Sequence, residues 1–193
     1  MHKLEFRRQI LHLLYGFALL ALYNWNYIDL KILFGMIIGG AITSIMVKKE
    51  HLSPIKKVLS IFEREHHLQK FPGRGILFFT IGATLTLLLF EKNIAYAGIL
   101  ILSIGDAVSN IVGRHFGKIT TKLNPDKKIE GNLAGILLSV PFAYYFFPNI
   151  FAVFAAATVG MFLEIPSIRL FNFEIDDNLL IPIGAAFTLT LFT

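Results

Sequence analysis

NIAYAGILILSIGDAVSNIVG, residues Asn93 to Gly113, is the stretch on which the reading of this chain turns. Its length matches a helix that crosses the hydrocarbon core of a bilayer, which takes about 20 residues. The first half carries no charge, so it reads as membrane-spanning. The second half carries Asp106 and Asn110 where the helix should still be in lipid. Polar groups at that depth are costly, so each is a pointer to function.

Outward from this segment the chain holds six more apolar blocks, at 9–28, 29–47, 75–90, 132–148, 149–168 and 178–193. Of the 193 residues 55% are hydrophobic and only 16% are charged, more apolar than is usual for a soluble domain. The expectation is an all-α, polytopic helical membrane protein with about seven transmembrane helices. A single domain covers residues 1–193. The chain has no cysteine, which excludes a disulfide and a thiolate metal site. MHKLEFRR ahead of the first block looks like the start of a signal peptide. Glu5 and His12 are foreign to one, and no small-residue cleavage site follows, so a retained first helix is expected.

The net charge is +5. Such a balance can mark a nucleic-acid binder, but the positive-inside rule explains it here and no nucleic-acid partner is expected. With seven spans and a cytoplasmic N-terminus, all 18 Lys and Arg residues except Lys31 and Lys92 fall on the cytoplasmic side. The C-terminus is then outside. Two long loops are cytoplasmic. The first, Lys48 to Arg74, contains PIKKVLSIFEREHHL, with Ile55, Val58, Leu59 and Phe62 on one helical face. That pattern predicts a cytoplasmic amphipathic helix lying in the interface, ended by FPGRG. His51, His66 and His67 lack ligand spacing and read as surface residues. The second loop runs from Arg114 to Gly131.

Under this topology Glu5, Arg8, His12, Arg74, Asp106, Asn110, Lys127, Lys128, Glu130, Glu164, Asp176, Asp177 and Asn178 all fall at or near one face. At about 100° per residue, Asp106, Asn110, Gly113 and Gly117 share one arc of a helix, in a run that ends in Lys118. Glycines on that arc admit either a phosphate or a neighbouring backbone. Glu5, Arg8 and His12 share a face of the first helix, either as part of a site or as an interfacial anchor. NPDKKIEGNLAG, Asn124 to Gly135, gives a turn, Lys127 and Lys128, and then Glu130-Gly131 at a helix start. Basic side chains beside a helix N-terminus suit an anion, and Glu130 can ligate a metal or hold a lysine; an ordinary basic loop is the other reading. PGRG, Pro72 to Gly75, places Arg74 at another helix start. EIDDNLLIP, Glu174 to Pro182, contributes Asp177, a second carboxylate beside Asp106 from a different helix, and Glu164 can join them. Hard oxygen ligands near phosphate-binding groups suit Mg²⁺.

In this order the segments resemble the CTP-dependent lipid kinase family: dolichol kinase, phytol kinase and the CTP-dependent diacylglycerol kinase. EFRRQILH is similar to the family's Glu-x-x-Arg-Lys-x-x-His, with Gln9 in the lysine position. PGRG is similar to an arginine-glycine turn, and GDAVSNIVGRHFGK to Gly-Asp-x-x-Ala-x-x-x-Gly-x-x-x-Gly-Lys. KKIEGNLAG is similar to Lys-Thr-x-Glu-Gly-Ser, with Lys128 and Asn132 in the threonine and serine positions. EIPSIRLFNFEIDDNLLIP is similar to Glu-x-x-Pro followed by Asp-Asn-x-x-x-Pro. The likeness covers nearly the whole chain.

The resemblance implies an integral membrane enzyme with its active site on the cytoplasmic face. It would transfer the γ-phosphoryl group of CTP to the hydroxyl of a membrane lipid alcohol, giving lipid phosphate and CDP. The acceptor would be a polyprenol or dolichol, a phytol-like prenol or diacylglycerol. Asp106, Asp177 and Glu130 are then the expected catalytic residues, and Asp106, Asp177 and Glu164 the expected Mg²⁺ ligands. Arg8, His12, Arg74, Asn110, Gly113, Lys118, Lys127, Lys128 and Gly131 are the expected nucleotide and phosphate contacts. The middle segments also resemble CTP:phosphatidate cytidylyltransferases, but the long C-terminal signature of those enzymes is missing. A small transporter or lipid-binding protein is the reading of another class. A transport path needs polar groups near the midplane and on both sides, whereas here they stop on one side.

Overall fold

The computed structural model describes residues 2–166, 168–170 and 173–193. Each of the seven apolar blocks contains a helix. In chain order the helices are α1 (His2–Asn24), α2 (Leu30–Lys48), α3 (Ser53–Leu59), α4 (Glu65–Lys70), α5 (Arg74–Leu89) and α6 (Lys92–Leu100). A π-helical turn, Ile101–Asp106, joins α6 to α7 (Ala107–Phe116), so the three form one rod. After it come α8 (Ile129–Phe146), α9 (Ile150–Leu163) and α10 (Asp177–Thr190). Two antiparallel strands of two residues each, β1 (Arg169–Leu170) and β2 (Phe173–Glu174), precede α10.

Local sequence accounts for several of these ends. Asp29 caps α2 by accepting from the Ile32 amide at 2.8 Å, and Asn149 caps α9 by accepting from the Ala152 amide. Asp176 does the same for α10 through the Asn178 amide. Each capping oxygen satisfies an amide that the first helical turn leaves without a partner.

The rod from Lys92 to Phe116 is the axis of the bundle. Every residue from Ile94 to Ala107 is buried, packed against α1, α5, α8, α9 and α10. By contrast α2 is apolar yet almost all surface, with Ile32, Phe34, Met36, Ile38, Ile42 and Ile45 exposed. Leu133, Leu137, Leu138 and Phe142 on α8, and Phe151, Phe154 and Phe162 on α9, are exposed as well. Such contiguous apolar surface fits a lipid environment better than water.

Leu30–Lys48 and Lys92–Phe116 are long and apolar enough to cross a membrane, and together with the exposed apolar surface they suggest a membrane protein. Arg74–Leu89 and Ile150–Leu163 are apolar but shorter. Helix length therefore does not establish the expected seven spans. In the sixth apolar block α9 ends at Leu163 rather than at residue 168, as Pro166 disfavours helical backbone at Ile165.

The expected amphipathic helix in the first long loop is corrected: the structure breaks it into α3 and α4. Tertiary bonds compete with helix propagation at the break. The Glu63 carboxylate accepts from the Gly73 amide at 2.9 Å, and the Arg64 guanidinium reaches Glu5 on α1 at 2.5 Å. Ile55, Val58 and Ile61 remain exposed on one side of this segment.

Where α7 crosses α8, small residues set the spacing. A Cβ on Gly131 would lie 2.3 Å from the carbonyl oxygen of Ser109 and 2.9 Å from the Cα of Gly113. The backbones can approach this closely only because Gly131 lacks a side chain. Gly131 therefore has a packing role at this crossing, against Ser109 and Gly113 of α7.

Candidate active site

The polar residues of α1, α7, α9, α10 and the loop ahead of α8 meet at one end of the bundle. Asp106 is the last residue of the π turn and is buried. A π turn holds one extra residue in its loop of hydrogen bonds and often marks a functional position. One helical turn on, the Asn110 amide donates to Asp106 Oδ1 at 2.7 Å and to its carbonyl oxygen at 2.9 Å. The other carboxylate oxygen, Oδ2, faces Nε2 of His12 on α1 at 3.7 Å. The His12 ring stands edge-on to Phe79 of α5, with centroids 4.7 Å apart. Its Nε2 has no hydrogen-bond partner.

Glu164, at the end of α9, is the second buried carboxylate. Its Oε1 accepts from Ser109 Oγ at 2.6 Å, from Asn110 Nδ2 at 3.4 Å and from the ammonium of Lys127. Its Oε2 is buried with no partner. Asn132 of α8 donates to the Met161 carbonyl at 2.7 Å and ties α8 to the last turn of α9.

Lys127 arrives from a short hairpin. Thr120 and Lys128 form a bridge, and the Thr121 amide donates to the Lys127 carbonyl. Asn124 Oδ1 accepts from the Asp126 amide and folds the Asn-Pro-Asp turn. The hairpin carries the Lys127 ammonium between Glu164 and Asp177, whose Oδ2 is 3.9 Å away. Burial works against the charged ammonium, but Glu164, Asp106 and Asp177 around it hold its pKa above the ordinary lysine value. One ammonium among three carboxylates leaves the centre negative.

Beside it, Arg74 at the start of α5 donates to Asp176 Oδ2 at 2.9 Å and lies over the Phe78 ring. Burial and the adjacent Asp177 push the Asp176 carboxyl up to about 6, with Arg74 pulling the other way. Asp176 Oδ1 accepts from Asn178 Nδ2 at 2.6 Å. Asp176 had a readable signal, since an aspartate ahead of a helical run is a standard N-cap.

Other expected site residues stand apart from this centre. Arg8 pairs with Glu5 at 3.1 Å, in a cluster where Arg64 and Arg114 converge on the same buried carboxylate. Glu130 is turned to the backbone, accepting from the amides of Lys118 and Ile119. Hydrogen bonds from its own amide and from Lys118 and Ile119 hold its carboxyl below the usual value. The Lys118 side chain is exposed. Lys128 is the N-cap of α8, with its side chain against Gly113 and Gly117. The contacts of Arg64 and Arg114 with Glu5, and of Ser109 with Glu164, depend on how distant segments pack and have no local sequence signal. Ser167, Phe171 and Asn172, inside EIPSIRLFNFEIDDNLLIP, lie outside the described residues.

Comparison with known proteins finds relatives along nearly the whole chain. An uncharacterized protein of Methanocaldococcus jannaschii is 28% identical over 186 residues, 95% of this chain and 91% of the relative. CTP-dependent diacylglycerol kinase 1 of Schizosaccharomyces pombe is 28% identical over 211 residues, 98% of this chain and 94% of the relative. The chloroplastic farnesol kinase of Arabidopsis thaliana is 30% identical over 125 residues, 58% of this chain and 41% of the relative. No family model and no solved structure matches.

Proposed function

We propose, from homologues that support the CTP-dependent lipid kinase family, that this chain is a membrane lipid kinase that moves the γ-phosphoryl group of CTP to a lipid hydroxyl. The observation that carries the reading is the convergence of Asp106, Glu164, Asp177 and Lys127 at one end of an apolar bundle. A lipid hydroxyl rests at headgroup level, where such an end would lie. Phosphoryl transfer asks a protein chiefly for positioning and for charge neutralisation.

The donor set fits Mg²⁺. Mg²⁺ takes oxygen ligands and is commonly held by one or two carboxylates, with phosphate oxygens and waters completing its shell. Among the described residues no three His, Asp or Glu side chains form a ready-made metal cage, and a site completed by nucleotide phosphates needs none. The buried Glu164 Oε2 without a partner and the surplus of carboxylates over ammonium are what a cation would satisfy. Asp106 and Asp177 would hold it, with Glu164 beside them. When bound, the ion neutralises the β- and γ-phosphates.

The chain's own residues do the rest. Lys127 and Arg74 draw the phosphate oxygens toward the carboxylate centre. Asn110 and Ser109 fix the directions of Asp106 and Glu164 through the bonds described above. The lipid oxygen forms a bond to the γ-phosphorus as the bond from that phosphorus to the β-bridging oxygen breaks, and CDP leaves. The hydroxyl proton passes to a carboxylate of the centre. The positive-inside rule supports a cytoplasmic position for this end, because the basic loops lie beside it.

Two measurements test the proposal. Purified protein in lipid, given CTP or ATP with dioleoylglycerol, farnesol, phytol or dolichol, is expected to form a lipid phosphate from CTP with one of these alcohols. Absence of product from the whole panel contradicts the kinase reading. In cells, a cysteine at Lys122 is expected to react only from the cytoplasmic side and one at Asn149 only from outside. Labelling of both from one side removes the proposed topology.

A further inference from the structure

We infer that Arg8, Arg64 and Arg114, gathered around the buried Glu5, form a second site, which takes the phosphate headgroup of a lipid phosphomonoester at the membrane surface. The inference goes beyond the proposed reaction: it needs the membrane placement and no turnover.

Three segments build the cluster. Arg8 lies on α1, Arg64 is the N-cap of α4 and Arg114 is in the last turn of α7. They converge on the carboxylate of Glu5, which is 5% exposed. Arg64 donates to its Oε1, and Arg8 and Arg114 stand 3.1 and 3.7 Å from its Oε2. That second oxygen nevertheless receives no well-formed hydrogen bond among the described residues. Each guanidinium carries five N–H donors in a planar fork, so most donors of the cluster are left for another acceptor. The three side chains are 30, 43 and 31% exposed, so a ligand can reach them from outside. Three guanidiniums against one carboxylate leave two positive charges. A phosphate monoester carries about −1.5 to −2 at pH 7, and guanidiniums pair with phosphate oxygens in a bidentate manner.

The surroundings favour a lipid over a soluble anion. An exposed apolar side chain accompanies each arginine: Phe6 two residues before Arg8, Ile61 three before Arg64 and Phe116 two after Arg114. Cations beside exposed apolar groups on three separate segments are what a bilayer interface selects, since arginines there keep their charge at headgroup level. Basic pockets between membrane helices hold anionic headgroups in this way. A soluble anion needs no apolar rim. The site is also separate from the carboxylate centre. Arg114 follows Asp106 by eight residues, about 12 Å along a helix axis, which is too far for one phosphate group to touch both.

Native mass spectrometry of the purified full chain in detergent, without nucleotide, tests the site. Dioleoylphosphatidate is expected to bind about tenfold more tightly than dioleoylphosphatidylglycerol or dioleoylphosphatidylcholine, and Arg114→Gln to weaken it by about tenfold. Lys122→Gln removes the same charge from an exposed residue outside the cluster and is expected to leave binding unchanged. Equal affinity of the wild type for phosphatidate and either other lipid overturns the inference, and that comparison needs no variant to fold. Equal weakening in both variants overturns it as well. So does full affinity in Arg114→Gln, which would put the headgroup elsewhere, the carboxylate centre included. Excess CTP is expected to leave phosphatidate bound, and displacement by CTP would assign the arginines to a nucleotide phosphate instead of a lipid. No arm depends on catalysis, so a protein that proves not to be a kinase fails the panel above while these affinities still decide the arginine site.

Discussion

Asp106→Asn is expected to leave a folded protein whose turnover is lower by about a thousandfold or more. The side chain sits at the junction of the π turn and α7, accepts from Asn110 and faces His12. An asparagine keeps the shape and one acceptor oxygen, so Asn110 retains a partner and the helix its geometry. What disappears is the negative charge that the proposed reaction needs opposite the phosphates. Asp29→Asn is the control. Asp29 caps α2 through the Ile32 amide, and asparagine caps as well as aspartate, so turnover there should be unchanged. Radiometric turnover with the unfolding midpoint in detergent checks both. Normal turnover in Asp106→Asn removes the carboxylate centre from the mechanism.

Lys127→Met has the second large effect, and it acts on stability as well as turnover. Glu164 is fully buried and Lys127 is its counter-charge; without the ammonium, Ser109 and Asn110 still donate but nothing balances the carboxylate. Breaking one partner of a buried pair costs about 3–5 kcal/mol. The double variant Lys127→Met with Glu164→Gln removes both charges and should recover much of that stability, yet remain inactive. A Lys127→Met protein as stable and as active as the wild type would show that the pair matters to neither.

A helix in each apolar block was legible because apolar runs of that length leave few alternatives, and the polar clusters were legible because each broke an apolar pattern. The contents of the centre were only half legible. Asp106, Asn110, His12, Glu164, Lys127 and Asp177 were foreseen as candidates, but nothing local says that Lys127 rather than Lys128 or Lys118 turns inward. The Asn124–Asp126 turn and the bridge from Thr120 to Lys128 decide that. The π turn was invisible, since Ile101 to Asp106 has no residue that forbids an ordinary helix. The break between α3 and α4 was missed because the amphipathic pattern is continuous there. Contacts with Glu5 and Gly73, distant in sequence, override it. For Gly113 and Gly131 both readings were open in the sequence, and the crossing of α7 with α8 shows a packing need at Gly131.

The central claim is γ-phosphoryl transfer from CTP to a lipid hydroxyl, and the position of the transferred label tests it most directly. Purified protein in lipid would be given CTP labelled at either the γ- or the α-phosphorus, with an unphosphorylated lipid alcohol that the panel identifies. The γ-label is predicted to enter the organic phase and the α-label to stay in water with CDP. Transfer of the α-label to a lipid phosphate, with release of pyrophosphate, would contradict the kinase and identify a cytidylyltransferase.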